Sequence, residues 1–263
     1  QKIIQIDRDN EYVLFVRDPL KFVGAGLELH SNVKIVLANF RHYGFEVQLK
    51  FPKLIKSHKI DLMHFVNFNV PLSYNSPFVV TIHDMIHHRL PGNKTNRFMH
   101  RLAYKAVMRH AVLNSQKIIT VSNFSKKEIL SFYKIPADKI EVIYEAAMPV
   151  PVTDSDVAEI RQRYAITKPY VIFVGVMERK KNLLKLADAF DLLKDKYQLN
   201  IQMVLAGKTD AHYPEIVQEI QKIKYRKDLI LTGLISDKEK YALYQGAEAF
   251  VSASLLEGFG LPG

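Results

Sequence analysis

The sequence contains no cysteine among its 263 residues, so disulfide bonds and thiolate metal sites are excluded. This absence suits a reducing compartment. No apolar run approaches the roughly 20 residues that a helix needs to cross a bilayer. The first residues, QKIIQIDRDN, lack the long apolar stretch of a signal peptide. The composition, 48% hydrophobic and 24% charged, is that of a globular protein with one large domain or two ordinary ones.

The net charge of +10 is distributed unevenly along the chain. Residues 1–150 contain 21 Lys and Arg against 12 Asp and Glu, whereas residues 151–263 contain 16 against 15. The first half therefore indicates either an anionic partner or a solvated basic surface. Zinc-finger spacing and a basic platform interleaved with aromatic residues are both missing, so no nucleic-acid partner is predicted.

Short apolar segments alternate with segments of helical period. Most of the apolar segments are continuous rather than alternating, as in parallel strands that are covered on both faces. This order predicts an α/β fold. Helices are predicted at 93–113, 157–164, 182–196 and 214–224. The predicted strands are 11–16, 33–39, 61–66, 77–83, 117–122, 139–144, 170–175, 201–207, 229–233 and 249–254.

A domain boundary is predicted near residue 150. The stretch MPVPVTDSD there has two prolines and no periodicity, and the charge balance changes at the same place. The predicted domains are residues 1–150 and 151–263.

The last segment, VSASLLEGFGLPG, is the most informative part of the sequence. A predicted strand runs into Glu257, Gly258, Phe259 and Gly260, and Pro262 suits the first turn of a helix. A glycine loop between a strand and a helix N-terminus can bind a diphosphate, and Glu257 can accept hydrogen bonds from sugar hydroxyls. The alternative is an ordinary strand-to-helix turn with a capping acid.

Three cations follow the strand that ends at Gly175, namely Arg179, Lys180 and Lys181. They come directly before a predicted helix, at the sheet edge where open α/β sheets bind ligands. This pattern indicates a phosphate site, and the alternative is a solvated basic turn.

A histidine and an aspartate follow the strand of residues 77–83. His83 and Asp84 are predicted at its carboxyl end, where a histidine can bind or orient a hydroxyl group of an acceptor. His87 and His88 lie nearby, but Asp84 is the only adjacent acid, so no metal site is predicted. A structural histidine is the other interpretation of His83.

The predicted helix 93–113 carries a cation at every fourth residue: Arg97, Arg101, Lys105 and Arg109. Residues 89–109 contain six Lys or Arg and no acid. Such a helix either lies on an anionic membrane surface or presents a solvated face. The residues expected to pack against the domain are Phe98, Leu102, Ala106 and Val107.

Together these segments resemble glycosyltransferase family 4, the retaining GT-B enzymes that include many bacterial mannosyl- and glucosyltransferases. The EGFGLP run resembles the family's C-terminal signature, so Glu257 matches its first glutamate, and the second would fall beyond Gly263. The family's phosphate loop, G-x-x-E-P-R-K-N, is GVMERKKN here. Lys180 stands for the arginine, Lys181 matches the lysine, and Arg179 replaces the proline.

The N-terminal half resembles the family as well. TIHD at 81–84 is similar to its acceptor-side histidine loop, and residues 121–144 are similar to its interdomain-facing segment, with Ser122 and Ser125 at the usual serines. The family's first glycine-rich loop is missing from residues 1–20, so the chain is expected to be truncated at both ends and poorly active as it stands.

The resemblance implies a GT-B fold, in which two Rossmann-like domains with parallel sheets face each other across a cleft. It implies transfer of a hexose, mannose or glucose, from a nucleotide diphosphate sugar to a saccharide or lipid-linked acceptor, with no cofactor and no metal. The site residues it implies are His83 and Glu257 for catalysis, Lys180, Lys181, Gly258, Phe259 and Gly260 for the diphosphate, Gly207, Gly233, Leu234 and Ile235 near the nucleotide base, and Asp84 and Ser122 on the acceptor side.

The expected location is the cytoplasm, with the protein peripheral on the inner face of the membrane. Two other functions stay open. One is a sugar-nucleotide epimerase of similar fold, which needs no acceptor, and the other is a non-catalytic module that binds a sugar nucleotide.

Overall fold

The structure, a computed structural model, describes residues 2–19, 30–40, 44–89 and 98–260. The chain divides into two compact units, Gln1–His83 with Thr95–Ile143, and Asp84–Lys94 with Tyr144–Gly263. It passes from the first unit to the second between Ile143 and Tyr144, a few residues before the boundary predicted at residue 150. The short segment after His83 also belongs to the second unit.

Each of the predicted strand segments contains a strand of the structure. The strands are β1 Tyr12–Val16, β2 Val33–Leu37, β3 Met63–Phe65, β4 Phe78–Ile82, β5 Lys117–Thr120, β6 Ile140–Val142, β7 Tyr170–Val174, β8 Gln202–Ala206, β9 Leu229–Gly233 and β10 Ala249–Phe250.

The predicted helices within the described residues are present, and several short helices were not predicted. The helices are α1 Lys2–Ile6, α2 Phe45–Leu49, α3 Phe51–Ser57, α4 Ile86–Arg89, α5 Phe98–Asn114, α6 Asn123–Phe132, α7 Asp154–Arg163, α8 Leu183–Tyr197, α9 Pro214–Ile220 and α10 Asp237–Gln245. Within the described ranges, no helix is both long enough and apolar enough to span a membrane.

Every strand pairing in the structure is parallel, as predicted. In the first unit β1 pairs with β2, and β3, β4, β5 and β6 form a sheet in that order. In the second unit the order is β10-β7-β8-β9. The chain therefore builds β7, β8 and β9 in one direction and then returns to the other side of β7 for β10. The strand order reverses between β7 and β10.

The strand β7 shows why its sequence is apolar throughout. Tyr170 and Ile172 pack into a buried cluster with residues of α7 and α10, whereas Phe173 packs into a second cluster with residues of α8 and α9. Both faces of the sheet are covered, which favours apolar side chains along the whole strand. Burial of side chains of this size contributes about 1.5–3 kcal/mol each.

The helices that cover this sheet begin where the sequence places capping residues. Thr153 forms a capping box with Asp156 at the start of α7, and Ser236 forms one with Glu239 at the start of α10. These reciprocal hydrogen bonds satisfy backbone N–H groups that would otherwise lack partners.

Candidate functional site

Two loops meet where the strand order of the second unit reverses. One follows β7 and includes residues 175–182, and the other follows β10 and includes residues 251–260. The backbone N–H of Leu255 donates to the carbonyl oxygen of Lys180 at 2.8 Å, which ties the two loops together. Open α/β sheets bind ligands at this position, beyond the carboxyl ends of the strands.

The cations of the loop after β7 lie directly before the N-terminus of α8. Residues Arg179–Lys181 form a 3-10 turn, and Asn182 follows in the left-handed conformation with φ of 54°. Asparagine tolerates this conformation better than most residues. No side chain caps the start of α8, and its first turn contains no acid. The first-turn N–H groups and the helix dipole therefore favour an anion here.

Lys181 and Glu257 are joined by an ion pair in this crevice. The Nζ of Lys181 lies 2.5 Å from the Oε1 of Glu257, and the two side chains are 14% and 33% exposed. Partial burial alone raises the pKa of Glu257, but hydrogen bonds from Lys181 and Ser254 and the nearby lysine charges outweigh it and lower that pKa. Glu257 is therefore an ionised acceptor at neutral pH.

Lys180 has a carboxylate partner of its own. Its Nζ lies 3.1 Å from the Oε1 of Glu178, with both side chains mostly covered. The two predicted diphosphate lysines thus come from one turn, and each is held by a separate acid in this structure.

The glycine loop after β10 lies beside the same crevice. Gly260 has φ of 81°, and no described residue would meet a Cβ added there, so the glycine is needed for its backbone conformation. The ring of Phe259 packs at 6.0 Å from the ring of Tyr144. The helix predicted to start at Pro262 lies outside the described residues.

The predicted base region lies at the same edge of the sheet. The N–H of Gly207 donates to the carbonyl oxygen of Gly233 at 2.9 Å, and Gly175 donates to Ala206 O at 2.9 Å. A Cβ on Gly207 would lie only 2.1 Å from the carbonyl oxygen of Gly175, so no other residue fits there. Leu234 is 80% exposed, whereas Ile235 packs against the core on the α10 side.

A pocket of about 420 Å³ adjoins Gly175 and was not predicted. Residues of α10 and of the stretch 146–150 line it, and the hydroxyl of Tyr241 donates to Met148 O at 3.2 Å. An ion pair of 2.6 Å between Lys240 and Asp237 lies on its α10 side. The sequence holds one sign of this pocket. Tyr241 and Tyr244 are three residues apart on one helix and therefore share a face, but the same spacing also suits a pair of core residues.

In the first unit, His83 is held through both its backbone and its ring. Its Nε2 lies 3.1 Å from the carbonyl oxygen of Val66, which can only accept, so this contact places the proton on Nε2. The hydroxyl of Ser125 donates to the carbonyl oxygen of His83 at 3.0 Å. Thr120 donates to the neighbouring Ile82 O at 2.7 Å.

The two predicted acceptor-side residues have local backbone roles. Ser122 is the N-cap of α6 and accepts from the N–H of Ser125 at 3.0 Å. Asp84 accepts from the N–H of Ile86 at 2.9 Å. Among the described residues, no group of three or more His, Cys, Asp or Glu side chains is placed to hold a metal ion.

The packing face expected for the basic helix is wrong at three of its four residues. Phe98, Leu102 and Ala106 are exposed, whereas Val107 is half-buried. The buried residues of α5 are Met108, Ala111 and Val112. Within the part of the chain that the structure describes, the fully buried side chains of α5 all lie in its C-terminal half, and Phe98 and Leu102 at its N-terminal end stay exposed. Arg101, Lys105 and Arg109 are exposed, and Arg97 lies outside the described residues.

Comparison with known proteins gives relatives along most of the chain. The "O-antigen chain mannosyltransferase B" of Escherichia coli is 28% identical over 79% of this chain and 55% of its own length. The "O-antigen chain mannosyltransferase RfbU" of Salmonella typhimurium is 24% identical over 84% of this chain and 57% of its own length. The chain therefore spans about half the length of the curated relatives it matches.

Solved structures share the fold. Anabaena Alr3699/HepE in complex with UDP and glucose has a TM-score of 0.65 at 18% identity, over 95% of this chain and 68% of that one. WaaG, a glycosyltransferase involved in lipopolysaccharide biosynthesis, has a TM-score of 0.66 at 12% identity, over 96% of this chain and 75% of that one. The fold is of the GT-B type.

Family models cover both units. The model described as "Glycosyl transferases group 1" matches residues 156–262. The model described as "Glycosyltransferase Family 4" matches residues 6–146, which is more than half of the chain. The chain belongs to glycosyltransferase family 4.

Proposed function

We propose that the protein containing this chain transfers a hexose, mannose or glucose, from a nucleotide diphosphate sugar to a hydroxyl group, with retention of the anomeric configuration. The proposed role is in synthesis of a cell-surface polysaccharide or glycolipid. The observation that carries the proposal is the Lys181–Glu257 ion pair at the reversal of strand order. It combines a cation for the diphosphate with a carboxylate for sugar hydroxyls in one crevice.

An arriving diphosphate brings more negative charge to Lys181 than Glu257 does, so it takes over the ammonium. Glu257 is thereby released to accept hydrogen bonds from the sugar. Its pKa is lowered while it is paired with Lys181, so the carboxylate is already ionised when the donor arrives, as charge-assisted acceptance requires.

The reaction breaks the bond between the anomeric carbon and the diphosphate oxygen, and the acceptor oxygen forms a new bond to that carbon on the same face. The leaving diphosphate gains negative charge and takes the acceptor proton. Lys180, Lys181 and the amides of 258–260 stabilise that charge. His83 binds the acceptor hydroxyl.

The lysines and the uncapped start of α8 supply the charge stabilisation that a divalent cation supplies in other sugar transferases. We therefore propose a reaction without metal or cofactor. We propose that the pocket beside Gly175, the half-buried Gly233 and the exposed Leu234 take the nucleoside, because they adjoin the same crevice.

The relatives leave the sugar open. Two of them are named as mannosyltransferases, and one structural neighbour contains UDP and glucose. A saccharide or lipid-linked acceptor is part of the proposal, because those relatives are named for O-antigen chains.

Membrane contact is proposed through the first half of α5. Phe98, Met99 and Leu102 are 78%, 69% and 54% exposed, next to the exposed cations Arg101 and Lys105. This combination of apolar and basic side chains suits an anionic lipid surface. The protein is then a peripheral one on the cytoplasmic face of the membrane, where nucleotide sugars are available to it.

The test measures nucleotide binding and sugar transfer in the whole protein. Lys181→Ala is expected to weaken UDP or GDP binding at least tenfold in calorimetry, whereas Lys185→Ala should change it less than twofold. Lys185 is the matched control because it is 72% exposed and pairs with Asp188 one turn further into α8. Equal losses in the two variants would remove the diphosphate assignment.

A donor labelled in the sugar then separates the reaction classes. Transfer of label to a hydroxyl acceptor supports the proposal. Conversion of the donor to another sugar nucleotide without acceptor indicates an epimerase, and binding without turnover indicates a binding module.

A further inference from the structure

A second pocket, of about 450 Å³, lies in the first unit. Its lining residues come directly before two strands, with Lys59 and Ile60 ahead of β3 and Ser76 ahead of β4. It therefore lies at the amino-terminal edge of this sheet, whereas His83 follows the carboxyl end of β4. At about 3.3 Å per residue along the strand, the pocket and His83 are roughly 20 Å apart.

The two walls of this pocket differ in chemistry. One wall carries three lysines and the other carries hydroxyl and amide groups. Ile55 and Tyr74, which are buried, form the floor. We call it the lysine pocket, and its polar lining residues are Lys53, Lys56, Lys59, Ser73, Asn75 and Ser76.

The lysines of the pocket have no counter-charge within it. No acid lines the pocket among the described residues. The three lysines are exposed, and their ammonium groups form no hydrogen bond or ion pair with the described residues. Lys50, on the preceding turn, shows the contrast, because it pairs with Glu46 at 2.7 Å. Like charges three residues apart on a helix repel each other, so Lys53 and Lys56 gain from a bound anion.

The backbone of Lys59 is in an unusual conformation for its side chain. Its φ is 51°, just beyond the end of α3, where helices generally place glycine or asparagine. A lysine in the left-handed region is strained, and strain of this kind often marks a functional position. In this conformation Lys59 contributes a third ammonium group to the wall formed by α3.

The opposite wall is fixed in place. The side-chain oxygen of Gln48 accepts from the N–H of Leu72 at 2.8 Å, and its backbone carbonyl accepts from the hydroxyl of Ser73 at 3.2 Å. These bonds tie the turn that carries Ser73, Asn75 and Ser76 to α2. The spacing between the two walls is therefore set before any ligand arrives.

We propose that the lysine pocket binds an anionic saccharide, that is, a hexose unit that carries a phosphate or a carboxylate. The ammonium groups hold the anion, and the hydroxyl and amide groups opposite bind the sugar hydroxyls, which a bare phosphate lacks. This site is separate from the proposed donor site, which lies in the other unit, and it does not depend on the proposed reaction.

The experiment titrates mannose 6-phosphate, glucuronate, inorganic phosphate and mannose into the chain by calorimetry. The titrations use a Lys181→Ala background, so that the proposed donor site does not contribute. The two anionic sugars are expected to bind at least tenfold more tightly than phosphate or mannose. The preference between them identifies the anion as phosphate or carboxylate.

Variants then locate the binding. Lys59→Gly is expected to weaken anionic-sugar binding at least tenfold without lowering the melting temperature, since glycine fits φ of 51° better than lysine. Asn75→Ala should weaken sugar binding but leave phosphate binding unchanged. Lys127→Gln is the control, because Lys127 is exposed in the same unit outside the pocket.

Three results would overturn the proposal. The first is no binding of either anionic sugar at millimolar concentration. The second is phosphate binding as tight as that of the sugars. The third is an equal loss of binding in Lys127→Gln and Lys59→Gly, which would reflect net charge alone.

Discussion

The hydroxyl of Ser125 donates to the main-chain carbonyl of His83 across 3.0 Å, although 42 residues separate them in the sequence. Ser125 is 1% exposed, so its hydroxyl is shielded from water and is bonded to this carbonyl instead. We expect Ser125→Ala to lower the free energy of unfolding by about 1 kcal/mol or more. Urea denaturation of the chain measures this.

Ser131→Ala is the matched control on the same helix. The hydroxyl of Ser131 donates to Glu128 O but is exposed, so its loss should change stability by less than about 0.5 kcal/mol. An effect of Ser125→Ala no larger than that of the control would show that the hydroxyl does not hold the His83 backbone.

The Lys181–Glu257 pair predicts opposite effects on two ligands. Glu257→Gln removes the charge that competes for Lys181, so a free nucleoside diphosphate should bind severalfold more tightly. A nucleotide sugar should lose its advantage over the diphosphate, because glutamine accepts hydroxyl hydrogen bonds less strongly than a carboxylate. Calorimetry with UDP, GDP and their hexose forms measures both effects.

Glu248→Gln controls for the loss of one negative charge. Glu248 is exposed at the start of β10, and both affinities should stay within twofold of the parent chain. If Glu257→Gln weakens diphosphate and sugar nucleotide binding alike, Glu257 supports the loop rather than the sugar.

The ion pairs of Asp228 are expected to make the stability of the second unit sensitive to acid. It accepts from Lys168 at 2.5 Å and from Lys194 at 2.8 Å, and Lys194 is 5% exposed. Partial burial alone raises the pKa of Asp228, but these hydrogen bonds outweigh it, so the pKa lies below its ordinary value of 3.8. Its stabilisation is therefore complete above that value and is lost as the pH falls through the lowered pKa.

Asp228→Asn should lower the free energy of unfolding at pH 7 by about 1.5–3 kcal/mol. It should also flatten the loss of stability below pH 4. Asp188→Asn, at a carboxylate that is 62% exposed, should do neither. Thermal unfolding from pH 3 to 7 compares the three proteins, and parallel curves for Asp228→Asn and the parent would contradict the assignment.

Membrane binding through α5 should depend on salt and on two cations. Replacement of Arg101 and Lys105 by glutamine should abolish sedimentation with phosphatidylglycerol vesicles at low salt. Binding by the parent chain should fall as salt rises to physiological strength, where exposed charges are screened beyond about 8 Å. Replacement of Lys127 and Lys134, which are exposed in the same unit, should have a much smaller effect. Binding that ignores salt would rule α5 out.

The strands could be predicted from the sequence because their apolar runs are covered on both faces, as Ile172 and Phe173 show in β7. The short helices α2 and α3 could not. They have five and seven residues, too few for a helical period to emerge. The order of the strands in the sheet could not be predicted from local sequence either, because it depends on the side of β7 against which β10 pairs.

The site was predictable as a set of residue types but not as a set of contacts. The motifs named Lys181 and Glu257 separately, and only the fold brings them to 2.5 Å. The exposure of Phe98 and Leu102 could not be predicted from the sequence. Helical periodicity indicates which residues share a face, but it does not indicate whether another part of the protein covers that face. Arg97 and Pro262 lie outside the described residues, so their predicted roles stay predictions.

The position of β10 has a consequence for the dynamics of the site. This strand places two residues, Ala249 and Phe250, in register with β7, on its outer side in the described sheet. The flanking N–H groups of Glu248 and Val251 donate to β7 carbonyl oxygens at 2.8 Å. Short outer strands exchange their amide hydrogens through local opening, with less protection than central strands such as β8. Glu257, the carboxylate of the proposed site, thus follows the strand whose amide hydrogens are expected to be the least protected among the described strands of this sheet. A bound donor that bridges Lys181 and the 258–260 loop would slow exchange at Val251 and Leu255 first, so these two amides would report occupancy before any change in the rest of the unit.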